Sequence, residues 1–277
     1  MGFRINTNMA SISAQRSLGV SNRESEGVLS KLSSGSRITK AADDAAGLAI
    51  SEKMKANIRS MKQADRNAND GISLVQTAEG GLNEVSSILT RMRELAMQTS
   101  SDTVGDVERG MTNMEYQNLK LELERISQVT EFNGKKLLNG EGEMYDFQVG
   151  VNNDAFNDRI SYNAGQANSR IENLGVAELD VGTKDGSQSS LSALDAAIEK
   201  VSGQRAYLGA IQNRLTSTSN NLQVSTENLS AANSRIRDLD YAEATAQKAK
   251  LDILNAAGTS VLAQANMNSQ HALKLIG

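Results

Sequence analysis

The chain has 277 residues, a net charge of −4 and neither cysteine nor proline. This excludes disulfides and thiolate metal sites, spares every helix a proline kink, and leaves no basic face for nucleic acid or anionic lipid. Aromatics are only 3% with no tryptophan, so alanine and aliphatic side chains must fill the core, which suits interdigitating helices.

No apolar run approaches the roughly 20 residues of a membrane span. The opening Met1-Gly2-Phe3-Arg4-Ile5-Asn6 lacks the apolar core of a cleavable signal peptide, so if the protein leaves the cytoplasm, another route is expected. Over residues 1–34, Ala14, Leu18, Ser21, Ser25, Val28 and Leu32 recur in strides of four and three. Ile5, Met9 and Ile12 form a separate apolar edge. This Ser/Ala-rich helix buries little by itself and is expected to order only when it meets partners. Ser33 to Ser36 reads as a break, and Asp43 and Asp44 suit the first turn of the next helix.

That helix is predicted to run to about Thr99 and to carry the chain's strongest seam. Ala64, Ala68, Gly71, Val75, Ala78, Leu82, Val85, Leu89, Met92 and Ala96 are uninterrupted by charge. A repeat of about 3.5 residues keeps an apolar stripe facing a partner helix, and this stretch alone makes a rod on the order of 50 Å. Asp70-Gly71 also fits a hairpin turn, but the heptad runs unbroken across it. Gly71, Gly80 and Gly81 read as weak points of about 1 kcal/mol each.

Ser100 to Gly105 reads as a loop, followed by a helix from Asp106 to Val129 with Tyr116, Leu119, Leu123 and Ile126 on one side. Asn133-Gly134 and Asn139-Gly140 are turns. Met144 to Tyr162 is the strand region, where Tyr145, Phe147 and Val149 alternate with polar residues before Ile160 and Tyr162. Gly165 to Ser190 reads as loop with brief extended pieces.

From residue 190 the chain is helical again. Leu208, Ile211, Leu215, Thr218, Leu222, Ser225, Leu229, Ala232, Ile236 and Leu239 keep the strides. Ala242, Ala246, Ala249, Ile253, Ala256, Ser260, Ala263 and Met267 resume them after two successive strides of three, which places a joint at Asp238-Leu239-Asp240. The expected fold is mainly α. Residues 1–42 with 238–277 form a terminal coiled coil, disordered until assembly. Residues 43–237 form an inner rod with a β-hairpin at about 144–162 and a short loop at 165–190.

No enzymatic constellation is found. His271 is the lone histidine, so no zinc helix or catalytic triad can be built. Gly105 to Gly110 lacks the Lys-Ser/Thr of a phosphate loop. Glu122 and Glu124 point to different sides of a helix and read as a solvated face. Asn228-Leu229-Ser230 matches a glycosylation sequon, but Leu229 lies on the packing seam. No cofactor, metal or catalytic residue is expected.

Several longer motifs resemble bacterial flagellin. They are Leu32-Ser-Ser-Gly-Ser-Arg-Ile38, Asp43-Asp-Ala-Ala-Gly47, Arg66-Asn-Ala-Asn-Asp-Gly-Ile-Ser73 and Arg93-Glu-Leu-Ala96 in the first half. Phe132-Asn-Gly134, Leu208-Gly-Ala-Ile-Gln-Asn-Arg214 and Ala257-Gly-Thr-Ser-Val-Leu-Ala-Gln-Ala-Asn266 follow in the same order. The resemblance covers nearly the whole chain, with 165–190 standing where many flagellins carry a variable outer domain. The tail departs from the family, in which a proline and a terminal Arg are frequent.

The resemblance implies a subunit of the flagellar filament, exported unfolded through the flagellar secretion channel and secreted outside the cell. A sheathed or periplasmic filament is also compatible. Implied partners are further copies of the chain, the flagellar cap and hook–filament junction proteins, and an export chaperone at the C-terminal helix. The flagellin-sensing Toll-like receptor is a further implied partner, through Arg91, Leu95 and Glu115 with Arg93 and Gln98 nearby. The expected filament-packing seam is the rod stripe from Ala64 to Met92 with Leu215, Leu222, Leu229 and Ile236. The expected terminal coil uses Leu18, Val28, Leu32, Ala246, Ala249, Ile253 and Ala263. A hook–filament junction adaptor is the alternative within the family. A chemoreceptor-like rod is disfavoured by the strand region.

Overall fold

The structure is a computed structural model that describes residues 7–141 and 144–274, with side chains to 267. Ile5, the opening hexapeptide and the side chain of His271 therefore lie outside the described residues. The chain divides into two compact units, Asn57–Glu227 and Met1–Ala56 with Asn228–Gly277. The first unit lies within residues 43–237, and the second takes in 1–42 and 238–277 together with the residues between.

The unit 57–227 is built on α2 (Ala45–Thr99) and α5 (Lys184–Arg237). They run antiparallel, because residue numbers rise along one helix as they fall along the other. Ser187 meets Thr99 at 2.8 Å, Asp195 meets Arg93 at 2.6 Å, and Ser219 meets Asp65 at 2.5 Å. The α2 seam is fully inside: Val75, Leu82, Val85, Leu89 and Met92 have no exposed surface. Leu194, Val201, Leu208, Leu215 and Leu222 of α5 are buried with them.

Helix α3 (Asp106–Val129) folds back on this pair through buried Tyr116 and Leu123. Its return is pinned by Arg109, which donates to the carbonyls of Thr99 (3.0 Å) and Ser101 (2.7 Å). The Thr99 carbonyl is the last of α2 and has no partner within that helix. The Asn133-Gly134 turn joins two very short strands, β1 (Glu131–Phe132) and β2 (Lys135–Lys136), with φ of 50° and 75° at the two turn residues. Positive φ at both positions matches the twist of a two-residue hairpin. The expected strand region forms β3 (Met144–Gln148) and β4 (Arg159–Asn163), antiparallel with Tyr145 opposite Tyr162 and Phe147 opposite Ile160.

The segment 165–190 is more ordered than its composition implies. A short 3-10 helix at Ala164–Ala167 and α4 (Ile171–Leu174) precede α5, which starts at Lys184 and not at 190. Thr183 accepts from the Gly186 N–H at 3.2 Å, and the Ser187 and Ser190 hydroxyls donate back to the Thr183 and Gly186 carbonyls. Serine in a helix is acceptable when its hydroxyl is satisfied by its own backbone. Leu174, Val176 and Val181 are buried alongside and hold the segment to the core.

The unit formed by the chain ends pairs α1 (Met9–Ser34) with α6 (Tyr241–Lys274). They too are antiparallel: Asn8 donates to the Ala265 carbonyl at 2.9 Å and the Tyr241 hydroxyl to the Leu32 carbonyl at 3.0 Å. Helix α1 ends on Gly35 with φ of 67°, the left-handed cap that frees glycine from a Cβ penalty. Asp44, not Asp43, caps α2 by accepting from the Gly47 N–H at 2.8 Å, while Asp43 closes a turn on Thr39 and Lys40. The joint at 238–240 is where expected, and Asp240 accepts from the Ala242 N–H at 2.9 Å to start α6.

The phase of α6 differs from the expected one. Ala244, Lys248, Leu251, Asn255, Gly258, Leu262 and Ala265 are its buried or half-buried positions, again in strides of four and three. The expected stripe through Ala246, Ala249, Ile253 and Ala263 is exposed. Alanine-rich helices offer several 3.5-residue stripes of similar quality. This one buries Leu251 and lets Leu18 approach Gly258, where a Cβ would stand 3.2 Å from Leu18 Cδ1.

Candidate assembly surface

The expected seam residues divide sharply by environment. Ala64, Ala68, Gly71, Val75, Leu82, Val85, Leu89, Met92, Leu215 and Leu222 are buried inside the 57–227 unit. They hold the rod together and offer nothing to a neighbouring chain. Leu229 and Ile236 are half-buried in the unit of chain ends, as are Leu18 and Leu32, with Val28 buried.

The surface left over is on α1 and α6. After the two helices pack on each other, Met9, Ile12, Val20 and Leu29 of α1 remain exposed. On α6, Ile253 is 69% exposed and Val261 58%, with Leu254 and Met267 also outward. Both helices thus carry apolar side chains on a second face, and the expected coil residues Ala246, Ala249 and Ala263 lie on that outer side of α6. Exposed apolar side chains gathered on a slender helix pair mark a candidate interaction site. Sequence periodicity missed it because the inner and outer stripes of α6 are equally regular.

Helix α3 has a second outward stripe that sequence reading passed over. Val107, Met111, Met114 and Leu121 are exposed at helical spacing, opposite the buried Tyr116 and Leu123. Beside it lies the charged patch implied by resemblance. Arg91 donates to Glu115 at 2.9 and 3.1 Å and to Glu94 at 3.0 Å, and these bonds raise its already high pKa. Arg91 and Glu115 are about half exposed, whereas Leu95 is 2% exposed and faces the core. Leu95 therefore supports the patch from below and cannot touch a partner at the surface. Arg93 pairs with Asp195, which holds that carboxyl below its usual pKa, and Gln98 is exposed.

Glu122 is a solvated residue paired with Arg125 at 2.6 Å, as expected. Glu124 is not: it is partly covered, accepting from the Ile171 N–H at 3.1 Å and from Arg170 at 3.3 Å. Burial pushes its carboxyl up, but these bonds outweigh that and hold it below the ordinary range. Its role is to anchor α4 to α3. Among the described residues no cluster of three or more potential metal ligands occurs, and no helix is long and apolar enough to cross a membrane.

Known proteins point the same way. Residues 5–143 match the family described as the bacterial flagellin N-terminal helical region, and residues 191–276 match its C-terminal helical region. Flagellin of Halalkalibacterium halodurans is 44% identical over 272 residues, spanning 98% of this chain and 99% of that protein. Flagellin of Bacillus subtilis is 42% identical over 304 aligned residues, spanning 99% of this chain and 100% of that one. The crystal structure of Bacillus cereus flagellin superposes with a TM-score of 0.51 at 30% identity, over 61% of this chain and 94% of that one. A putative flagellar hook-associated protein of Vibrio parahaemolyticus has a TM-score of 0.58 over 71% of this chain and 100% of that one; at 14% identity the likeness is of fold alone. Matched at both helical ends and aligned from end to end with full-length relatives, the chain belongs to the bacterial flagellin family in its short form, and is a structural subunit that polymerises into the flagellar filament.

Proposed function

We propose that polymerisation is driven by the outer faces of α1 and α6, and that these helices order fully only when other copies cover them. The observation that carries this reading is the exposure of Ile253, Leu254 and Val261 on α6 together with Met9, Ile12 and Leu29 on α1. A lone pair of Ala/Ser-rich helices buries too little apolar area to offset its ordering entropy, so coverage by neighbours supplies the balance. A heterologous contact of this kind, repeated without closing, gives an open filament. The buried rod seam keeps each subunit stiff, and the short 165–190 segment leaves the filament slim.

On this reading the chain is exported unfolded, its C-terminal helix being held by an export chaperone before it meets the cap and junction proteins at the growing end. Its filament lies outside the cell, and the Arg91–Glu115 patch is the surface a flagellin-sensing Toll-like receptor would read on the free subunit. As a structural subunit the chain uses no cofactor and catalyses nothing. Deleting residues 1–34 or 243–277 should leave a cooperatively melting rod that seeds cannot elongate. Filaments of normal appearance from either truncation, seen by electron microscopy, would sink the proposal.

A further inference from the structure

Among the described residues, the seam between α1 and α6 contains two polar groups without a hydrogen-bond partner. The Ser21 hydroxyl and the Asn255 amide oxygen are both shut off from solvent without a hydrogen-bond partner. Their level follows from the anchors on either side. Leu18 lies against Gly258, Asn8 bonds to Ala265, and Tyr241 bonds to Leu32. Three residues inward from the Leu18–Gly258 contact, one helix reaches Ser21 and the other Asn255. Both occupy the inward positions of their heptads. One is a donor lacking an acceptor, and the other an acceptor lacking a donor.

We propose that Ser21 and Asn255 form a polar layer that sets the register of the terminal helices, so that every subunit presents the same outer face to the filament. This inference rests on the filament reading above. The rest of the seam is poorly specific: alanine, glycine and serine positions would accept a slip of one heptad with little change in packing. A slip of seven residues, however, sets Ser21 against Leu262 or Lys248 and buries the Asn255 amide against Ala14 or Val28. Only one register brings the two polar groups level. A single buried asparagine specifies register in this way, at a cost in stability. That cost also keeps α1 and α6 weakly paired in the free subunit, so that the hydroxyl-to-amide bond closes when neighbours compress the pair. A helical lattice of identical contacts tolerates no mixture of registers.

The test uses three full-length chains: wild type, the apolar double variant Ser21→Ala/Asn255→Leu, and the exchanged variant Ser21→Asn/Asn255→Ser. Seeded elongation and lattice order are read by electron microscopy, and unseeded protein by sedimentation. Melting of the 57–227 unit is followed in all three to show that the chains are folded. The apolar variant should elongate about tenfold more slowly or worse, with disordered ends and soluble oligomers, as expected when a register-setting polar group is lost. The exchanged variant should recover ordered elongation. Apolar-variant filaments as fast and as ordered as wild type would overturn the proposal, as would an exchanged variant no better than the apolar one. Wild-type protein that fails to elongate on seeds would defeat the filament reading itself, and the layer with it.

Discussion

Gly81 of α2 faces Leu138 so closely that a Cβ at position 81 would stand 2.7 Å from Leu138 Cδ1 and 2.8 Å from Thr130 Oγ1. Its neighbour Gly80 would meet nothing within 4 Å. Two adjacent glycines that look equivalent in sequence therefore have opposite reasons for being there. Gly80→Ala should stabilise the rod by about 0.5–1 kcal/mol through helix propensity alone. Gly81→Ala should destabilise it by about 1–3 kcal/mol, because buried Leu138 has to move. Urea denaturation of the two variants measures the difference, and equal effects would show that Leu138 does not pack there.

Leu89 is fully buried in the α2 seam, within the apolar core of the 57–227 unit. Leu89→Asp should cost more than about 4 kcal/mol, since an unpaired charge is forced into an apolar core. The thermal melt of the 57–227 unit should vanish or move far down. An unchanged melt would mean the stripe is not a core.

Ile253 is exposed on α6 and Leu251 is buried. Ile253→Ser should leave the helix content of the free subunit unchanged and strongly slow seeded elongation. Leu251→Ser should lower both. If Ile253→Ser polymerises like wild type, the outer face of α6 is not an assembly surface.

Burial pushes the Tyr116 phenol up to about 12 from the ordinary 10.0. A raised folded value means that the unfolded chain loses this proton first. Stability from this group is complete below pH 10 and is lost as pH rises through 12. Tyr162 shifts in the same direction. Tyr116→Phe should flatten part of the alkaline loss of stability, measured by urea midpoints across that range. A wild-type midpoint that is constant there would contradict the burial.

Arg93 beside Asp195 works at the other end of the pH scale. Its hydrogen bonds hold the Asp195 carboxyl below the ordinary 3.8. A depressed folded value contributes stability above the unfolded value that is lost as pH falls through the folded one. Asp195→Asn should therefore reduce the acid sensitivity of the rod below about pH 4. The pair is exposed and screened, so the effect should shrink further in high salt. An acid limb identical to wild type would remove Asp195 from the account.

Sequence alone determined the rod. Ten uninterrupted seam positions from Ala64 to Ala96 and the matching stripe on α5 left one plausible arrangement, because large aliphatic residues such as Leu82, Leu89, Leu208 and Leu215 recur on a single face. The hairpin at 144–163 and the joint at 238–240 were legible for similar reasons: alternating aromatics in one case, and a break in stride followed by a capping Asp in the other. Three features were decided only in three dimensions. The phase of α6 was hidden because alanine stripes are interchangeable until Leu251 and Gly258 meet α1. The helical start at Lys184 was hidden because glycine and serine propensities oppose it, and the Ser187–Thr99 bond and the Thr183 cap overrule them. Glu124 looked like any surface carboxylate until the 170–171 backbone folded across it. In each case local sequence offered several nearly equal options, and long-range packing selected one.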